Sequence, residues 1–144
     1  MLKKMKYKFL PHTADIIFEA YGKTLESLFE NSALALEEIM VDIKTLETKE
    51  HYEISLKTNS IENLLYDFLS ELIFVKDTEG LLFNKFDVVI SHKNKVYEIF
   101  ARCEGDFINR ETQDLHDDAK AITMHEFEII KEEDKWKAKV LVDI

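Results

Sequence analysis

Hydrophobic positions along the chain follow two rhythms. Leu25, Leu28, Phe29, Leu36, Ile39 and Met40 recur three and four residues apart, the spacing of one helix face. Thr24 precedes them as an N-cap, with Glu26 near the positive helix end, which predicts a helix over 25–41. Ser60 opens a second stripe, Ile61, Leu64, Leu65, Phe68, Leu69, Leu72 and Ile73, and Gly80 closes that region. Elsewhere apolar and polar residues alternate in the rhythm of strands. The pattern predicts strands over 6–10 and 16–21, around Tyr52, Ile54 and Leu56, through Phe86, Val88 and Ile90, and through Tyr97, Ile99, Ala101 and Cys103. A turn is expected near Lys93-Asn94-Lys95. Two last strands fall near 120–130 and 136–142, the final one showing Trp136, Ala138, Val140 and Val142 on one face and Lys137, Lys139, Leu141 and Asp143 on the other.

The order is strand, strand, helix, strand, helix and four strands. Strands adjacent in sequence favour antiparallel hairpins, so the expected class is α+β rather than a doubly wound α/β fold. The 144 residues form one compact domain in this reading, with two amphipathic helices covering one face of a mainly antiparallel or mixed β-sheet. Pro11 interrupts the first two strands and biases Leu10 toward extended geometry, and Gly22 supplies a turn before the first helix. Residues 104–119 are polar and aperiodic. A loop of that length in a compact domain is often functional.

Charge narrows the chemistry. Acids outnumber bases 29 to 19, the net charge is −10, and the arginines are Arg102 and Arg110 alone. A protein that grips phosphates along a nucleic acid needs clustered Lys and Arg, so strong direct nucleic-acid binding is not expected. An acidic surface suits a cation or a basic protein partner, although charge also serves solubility. The single cysteine, Cys103, rules out an internal disulfide and reads as a buried small hydrophobe. No apolar run approaches the ~20 residues that cross a bilayer, and no leader pattern stands at the start, so a cytoplasmic location and no membrane contact are expected.

No Gly-rich phosphate loop, nucleophile elbow or zinc-type histidine pair is present. The polar cluster His12-Thr13-Ala14-Asp15 reads by itself first as a turn beside Pro11. Asp15 could also be a hard oxygen ligand, with His12 as a ligand or proton shuttle. At the other end, Asp143 precedes Ile144, whose α-carboxylate follows it in the chain. Two neighbouring carboxylates repel unless screened. With Asp15 they would form an oxygen set suited to Ca²⁺ or Mg²⁺ rather than zinc, but spacing alone does not bring Asp15 to Asp143. His116, among Asp114, Asp117 and Asp118, reads as a solvated loop histidine, and His125 as a satisfied strand histidine. Lys120 begins its strand and can pair with a nearby acid. Glu26, Glu30, Glu37 and Glu38 read as the solvated face of the first helix.

Several of these segments together resemble the archease family. They are His12-Thr13-Ala14-Asp15-Ile16 with Glu19-Ala20-Tyr21-Gly22, then Leu25, Phe29 and Ala33, and Thr78-Glu79-Gly80-Leu81. Lys120-Ala121-Ile122-Thr123 with His125, Trp136 and the closing Asp143-Ile144 complete the pattern. The resemblance spans nearly the whole chain. Ile17 stands where the family usually has glycine, Met124 where it has tyrosine, and 106–116 lacks its proline-containing form. The resemblance implies a compact α+β fold and a protein cofactor rather than an enzyme. It implies that the chain activates an RtcB-type tRNA-splicing ligase by promoting guanylylation and multiple turnover. It implies that Asp15, Asp143 and the Ile144 carboxylate bind a divalent cation, Ca²⁺ first, with Mg²⁺ or Mn²⁺ as alternatives. His12, Lys120 and His125 would then be supporting or partner-contact residues. The residues alone leave open a metal-dependent hydrolase of a small phosphate compound, or a general chaperone or modulator of RNA-modifying enzymes.

Overall fold

A computed structural model describes residues 5–10 and 15–144. Their order is β1 (Tyr7–Leu10), β2 (Asp15–Gly22), α1 (Leu25–Met40), a short 3₁₀ turn (Ile43–Thr45), β3 (Glu50–Thr58), α2 (Ile61–Glu79), β4 (Leu81–Lys93), β5 (Val96–Phe107), β6 (Ala121–Lys131) and β7 (Trp136–Asp143). The helix boundaries follow the expected caps. The Thr24 side chain accepts from Ser27 N at the start of α1, and the Ser60 side chain accepts from Asn63 N at the start of α2. Gly80 ends α2 in the left-handed region, φ 68°, where the lack of a Cβ removes the steric cost.

The strands form two antiparallel sheets rather than the single sheet expected. One has the order β1-β2-β7-β6 and the other β3-β5-β4. Alternation tells each strand which face is buried but not which strand lies beside it, so the pattern could not separate the two sheets. The apolar stripes of both helices meet the inner sheet faces in one core. Phe29 of α1 stacks on Phe68 of α2 at 6.2 Å, and Phe68, Phe86 and Phe83 continue the chain of rings into β4. Ring pairs in this distance range add to simple burial.

The glutamates of α1 correct the reading of a solvated face. Glu26 Oε2 accepts from Ile90 N at 3.3 Å, Glu30 Oε2 from Val88 N at 2.9 Å, and Glu37 Oε1 from Phe83 N at 3.1 Å. β4 is an edge strand, whose outward N–H groups would otherwise lack partners. Three carboxylates along one helix face supply those acceptors. Helical spacing marked the face as polar, but only packing shows that the face meets a sheet edge instead of water.

Two glycines act through space. Gly22, expected to permit a turn, closes β2 without a positive φ, and a Cβ there would lie 2.3 Å from Leu28 N. It therefore lets the backbone of α1 approach β2. Gly105 explains why the long loop begins later than expected. β5 continues to Phe107, and its inward positions run through Ile99, Ala101 and Cys103 to Gly105. A buried position without a side chain leaves no hydrophobic signal, so the hydropathy alternation stops at Cys103 while the strand continues.

The β4–β5 turn falls on Asn94 and Lys95, as expected, with φ 53° and 63°. Both values belong to the tight hairpin turn that favours Asn-Gly. Lys95→Gly is accordingly expected to stabilise the protein by about 0.5–1 kcal/mol, by removing left-handed strain from a non-glycine residue. Urea unfolding should show a higher midpoint at unchanged slope.

Candidate functional site

The β2–β7 register sets Asp15 directly opposite Asp143. On the other side of Asp143 stands Ala121 of β6, and Lys120 N donates to Asp143 O at 2.8 Å. Cross-strand partners point to the same sheet face with Cβ atoms about 4.5–5.5 Å apart. Like charges placed so are destabilising unless a counter-charge intervenes. The side chain of Ile144 packs half-buried against the core, so the last strand is held to its end. Residues from both ends of the sequence thus share one end of the four-stranded sheet.

The segment after β5 is fixed against this end. Asp117 N donates to Ile39 O at 3.0 Å, and His116 N to Met40 O at 2.8 Å. His116 Nδ1 lies 2.9 Å from Glu38 O. Those three carbonyls belong to the last turn of α1, where acceptors lack partners within the helix. Leu115 bridges to Val41, and Asp42 N donates to Asp114 O. Further along, Lys76 of α2 reaches Asp118 at 2.5 Å and Ala119 O at 2.9 Å. The polar loop is therefore a strap over the helix terminus that delivers Lys120 to Asp143.

Between strap and sheet lies a cleft of about 460 Å³, lined by Phe9, Leu10, Asp15, Ile16, Glu38, Ile39, His116 and Asp117. The bond to Glu38 O holds the His116 pKa above that of an ordinary histidine, outweighing its modest burial, with help from the charges of Asp114, Glu38 and Asp42. A protonated histidine at a helix C-terminus complements the local dipole. Tyr7 donates to Glu38 Oε1 at 3.3 Å, and burial with the nearby Glu38 charge pushes the phenol up to about 12. Glu38 is thus held as an acceptor at the cleft.

Comparison with known proteins now decides the family. Residues 7–144 match the model of the Archease protein family (MTH1598/TM1083). The chain belongs to the archease family. It is 41% identical over 140 residues to a protein archease of Methanosarcina barkeri, with 96% of each chain covered. It is 37% identical to a protein archease of Pyrococcus abyssi, covering 96% of this chain and 99% of that one. The solution structure of protein 1598 of Methanobacterium thermoautotrophicum superposes with a TM-score of 0.86 at 38% identity, over 96% of this chain and 99% of the other. A crystal structure of an archease and possible chaperone from Thermotoga maritima shares the fold, with a TM-score of 0.61 at 21% identity over 100% and 98% of the two chains.

In this archease-family chain the sequence-predicted site residues separate. Asp15, Asp143, Ile144 and Lys120 converge at one sheet end. His12, with Thr13 and Ala14, lies outside the described residues. Among the described residues no three His, Cys, Asp or Glu side chains form a group that could hold a metal ion. His125 is not the satisfied strand histidine expected. The β6–β7 register breaks between Thr123 and Glu128, and His125 lies in that break with its side chain 76% exposed. Its backbone N–H donates to Thr123 Oγ1, and its Nε2 lies 3.6 Å from Glu126 Oε2 rather than by the Asp15–Asp143 row. Cys103 is buried as expected, and burial with the nearby Glu37 charge raises its thiol to about 12. Glu38 and Asp117 were missed. Nothing local distinguishes them from solvated acids, because the strap that joins them to Asp15 is a tertiary contact.

Proposed function

We propose that this chain is a protein cofactor of an RtcB-type tRNA-splicing ligase. In this reading it promotes guanylylation of the ligase and multiple turnover, and carries no catalytic machinery of its own. The observation that carries the reading is the Asp15–Asp143 cross-strand pair at the acidic sheet end of an archease-family chain. Asp15 and Asp143, with the Ile144 carboxylate, would hold a divalent cation, Ca²⁺ first and Mg²⁺ or Mn²⁺ as alternatives. Hard oxygen donors suit such ions, and the ion would offset the repulsion between the paired carboxylates. Bound there, it would supply positive charge and leave coordination positions for water or for the partner. Lys120 would keep the end of β7 in place through its backbone bond to Asp143. The acidic cleft beside Asp15 and the net charge of −10 would favour approach to a basic RNA-binding enzyme.

The test uses substoichiometric ligase, GTP, metal and a cleavable RNA pair with matching ends. Wild-type protein should restore multiple turnover. Asp15→Asn and Asp143→Asn should each reduce activation by roughly tenfold or more, the range seen when metal sites are weakened. Ca²⁺ should raise the melting temperature of the wild type but not of Asp143→Asn. Full activation by both variants would remove the site from the mechanism. Hydrolysis of small phosphate compounds by the isolated protein, lost in Asp15→Asn, would support a metal-dependent hydrolase instead.

A further inference from the structure

The end of the sheet away from Asp15 has the opposite character. Gly22 pairs with Trp136 at that end, seven residue steps from the Asp15–Asp143 pair, or about 23 Å along the strands. There a cavity of about 680 Å³ opens between β2, the start of α1 and the β6–β7 turn. It is lined by Met5, Lys6, Tyr21, Lys23, Asn31 and Lys135, together with Gly22, Ser27 and Asp134. Its volume lies within the range of roughly 300–1,000 Å³ common for small-molecule sites.

The polar groups of the lining divide into two kinds. Some are already engaged: Ser27 in the cap of α1, Asn31 Nδ2 with Tyr21 O at 2.6 Å, and the Tyr21 hydroxyl with Glu19 at 2.9 Å. The lysines are different. Lys8, Lys49, Lys76, Lys137 and Lys139 all have a carboxylate partner. Among the described residues Lys6, Lys23 and Lys135 have none, as is also true of Lys44, Lys57, Lys85, Lys93, Lys95, Lys120 and Lys131, but these three line one cavity. Lys135 Nζ instead sits 4.9 Å from the centre of the Tyr21 ring. Glu19 and Glu132, whose charges reach Tyr21, are already paired with Lys8 and Lys137, so the cavity lining itself sets three ammonium groups against the carboxylate of Asp134.

We propose that this cavity binds a phosphorylated small molecule with a flat apolar body, the phosphate held by Lys6, Lys23 and Lys135 and the body lying against Tyr21 and Met5. A lysine is a compact point charge suited to phosphate, and three of them match a polyanion better than a single carboxylate. The apolar part of the lining favours an organic body over inorganic phosphate alone. The site is independent of the ligase reading. It is also too far from Asp15 and Asp143 for those carboxylates to act on a ligand held there.

The test is a titration of ¹⁵N-labelled protein with ADP, adenosine and inorganic phosphate in parallel. ADP should shift the amides of Tyr21, Lys23 and Asn31 and leave those of Asp15 and Asp143 unmoved. It should bind at least about tenfold more tightly than adenosine or phosphate, the equivalent of one or two charge-assisted contacts. A Lys23→Ala/Lys135→Ala double variant should lose at least about tenfold in affinity. Lys49→Ala, distant and already paired with Glu47, should bind as the wild type does. Both lysine changes are on the surface, so an unchanged melting temperature establishes that the double variant folds. Equal binding of ADP and adenosine, shifts confined to other residues, or unimpaired binding by the double variant would each overturn the proposal.

Discussion

Gly105→Ala is expected to destabilise this protein by about 3 kcal/mol or more, the upper end of overpacking costs. Gly105 lies in β5, the central strand of its sheet, opposite Glu50 on one side and Phe83 on the other. A Cβ there would stand 1.9 Å from Leu82 O and 2.6 Å from the Phe83 Cα. Both are backbone atoms, so no flexible side chain can yield. The neighbouring ladder also breaks register between Phe83 and Lys85, which brings β4 over the glycine. Relief would require moving that bulge, and with it the Phe83 N–H that Glu37 accepts. Urea unfolding should show the loss as a lower midpoint, or as failure to obtain soluble protein. A variant within 0.5 kcal/mol of wild type, a typical surface effect, would mean that the close approach is not required.

The second large effect is on pH dependence. Glu37 is completely buried, and burial pushes its carboxyl up to about 8. The Phe83 N–H and the charge of Lys76 oppose that rise without cancelling it. Among the described residues its Oε2 has no hydrogen-bond partner. A glutamate titrates near 4.5 when unfolded, so between that pH and about 8 the folded state binds the additional proton. Stability contributed by this group is therefore fully present below 4.5 and falls as pH rises to about 8, by at most about 1.4 kcal/mol per pH unit. His116 acts with the same sign. Its raised pKa gives stability below the ordinary histidine range that is lost as pH rises through the folded value. Lys76 and Cys103 are the other titratable groups coupled to Glu37. Burial disfavours the charged form of Lys76, but bonds to Asp118 and Asp77 outweigh it and keep the ammonium charged. Burial keeps the Cys103 thiol protonated.

Glu37→Gln preserves an acceptor for Phe83 N and removes the titration. Urea midpoints at pH 5.5 and pH 8 should fall clearly for the wild type and much less for Glu37→Gln, which should be the more stable of the two at pH 8. The small slope left in the variant should belong to His116 and to Glu30, whose carboxyl is also held above its ordinary value by burial. An unchanged slope in Glu37→Gln would show that the carboxyl ionises as it does in water.

These two positions show where a one-dimensional pattern stops being informative. Gly105 is invisible because a buried position with no side chain carries no hydropathy. Glu37 is misleading because a charged residue on a helix marks a polar face without saying what that face meets. The same limit applies to the candidate site. Asp15 and Asp143 were identifiable as acids in suggestive settings, but they lie at opposite ends of the chain. Only the antiparallel pairing of β2 with β7 makes them neighbours. His125 went the other way, since the register break that exposes it leaves its alternating sequence intact.

What the sequence determined by itself is the set of elements: two helices with their caps, strands with their buried faces, the tight turn at Asn94-Lys95, the α+β class and the likeness to archease. Those follow from short-range rules, in which side-chain period and cap chemistry act within a few residues. What only the tertiary structure decided is the division of the strands into two sheets, the carboxylates that complete the β4 edge and the strap across the end of α1. It also decided the meeting of Asp15 with Asp143 and the gathering of Lys6, Lys23 and Lys135 around one cavity at the opposite end. Each of these depends on pairing between residues far apart in sequence, and hydrophobic periodicity records burial without recording the partner.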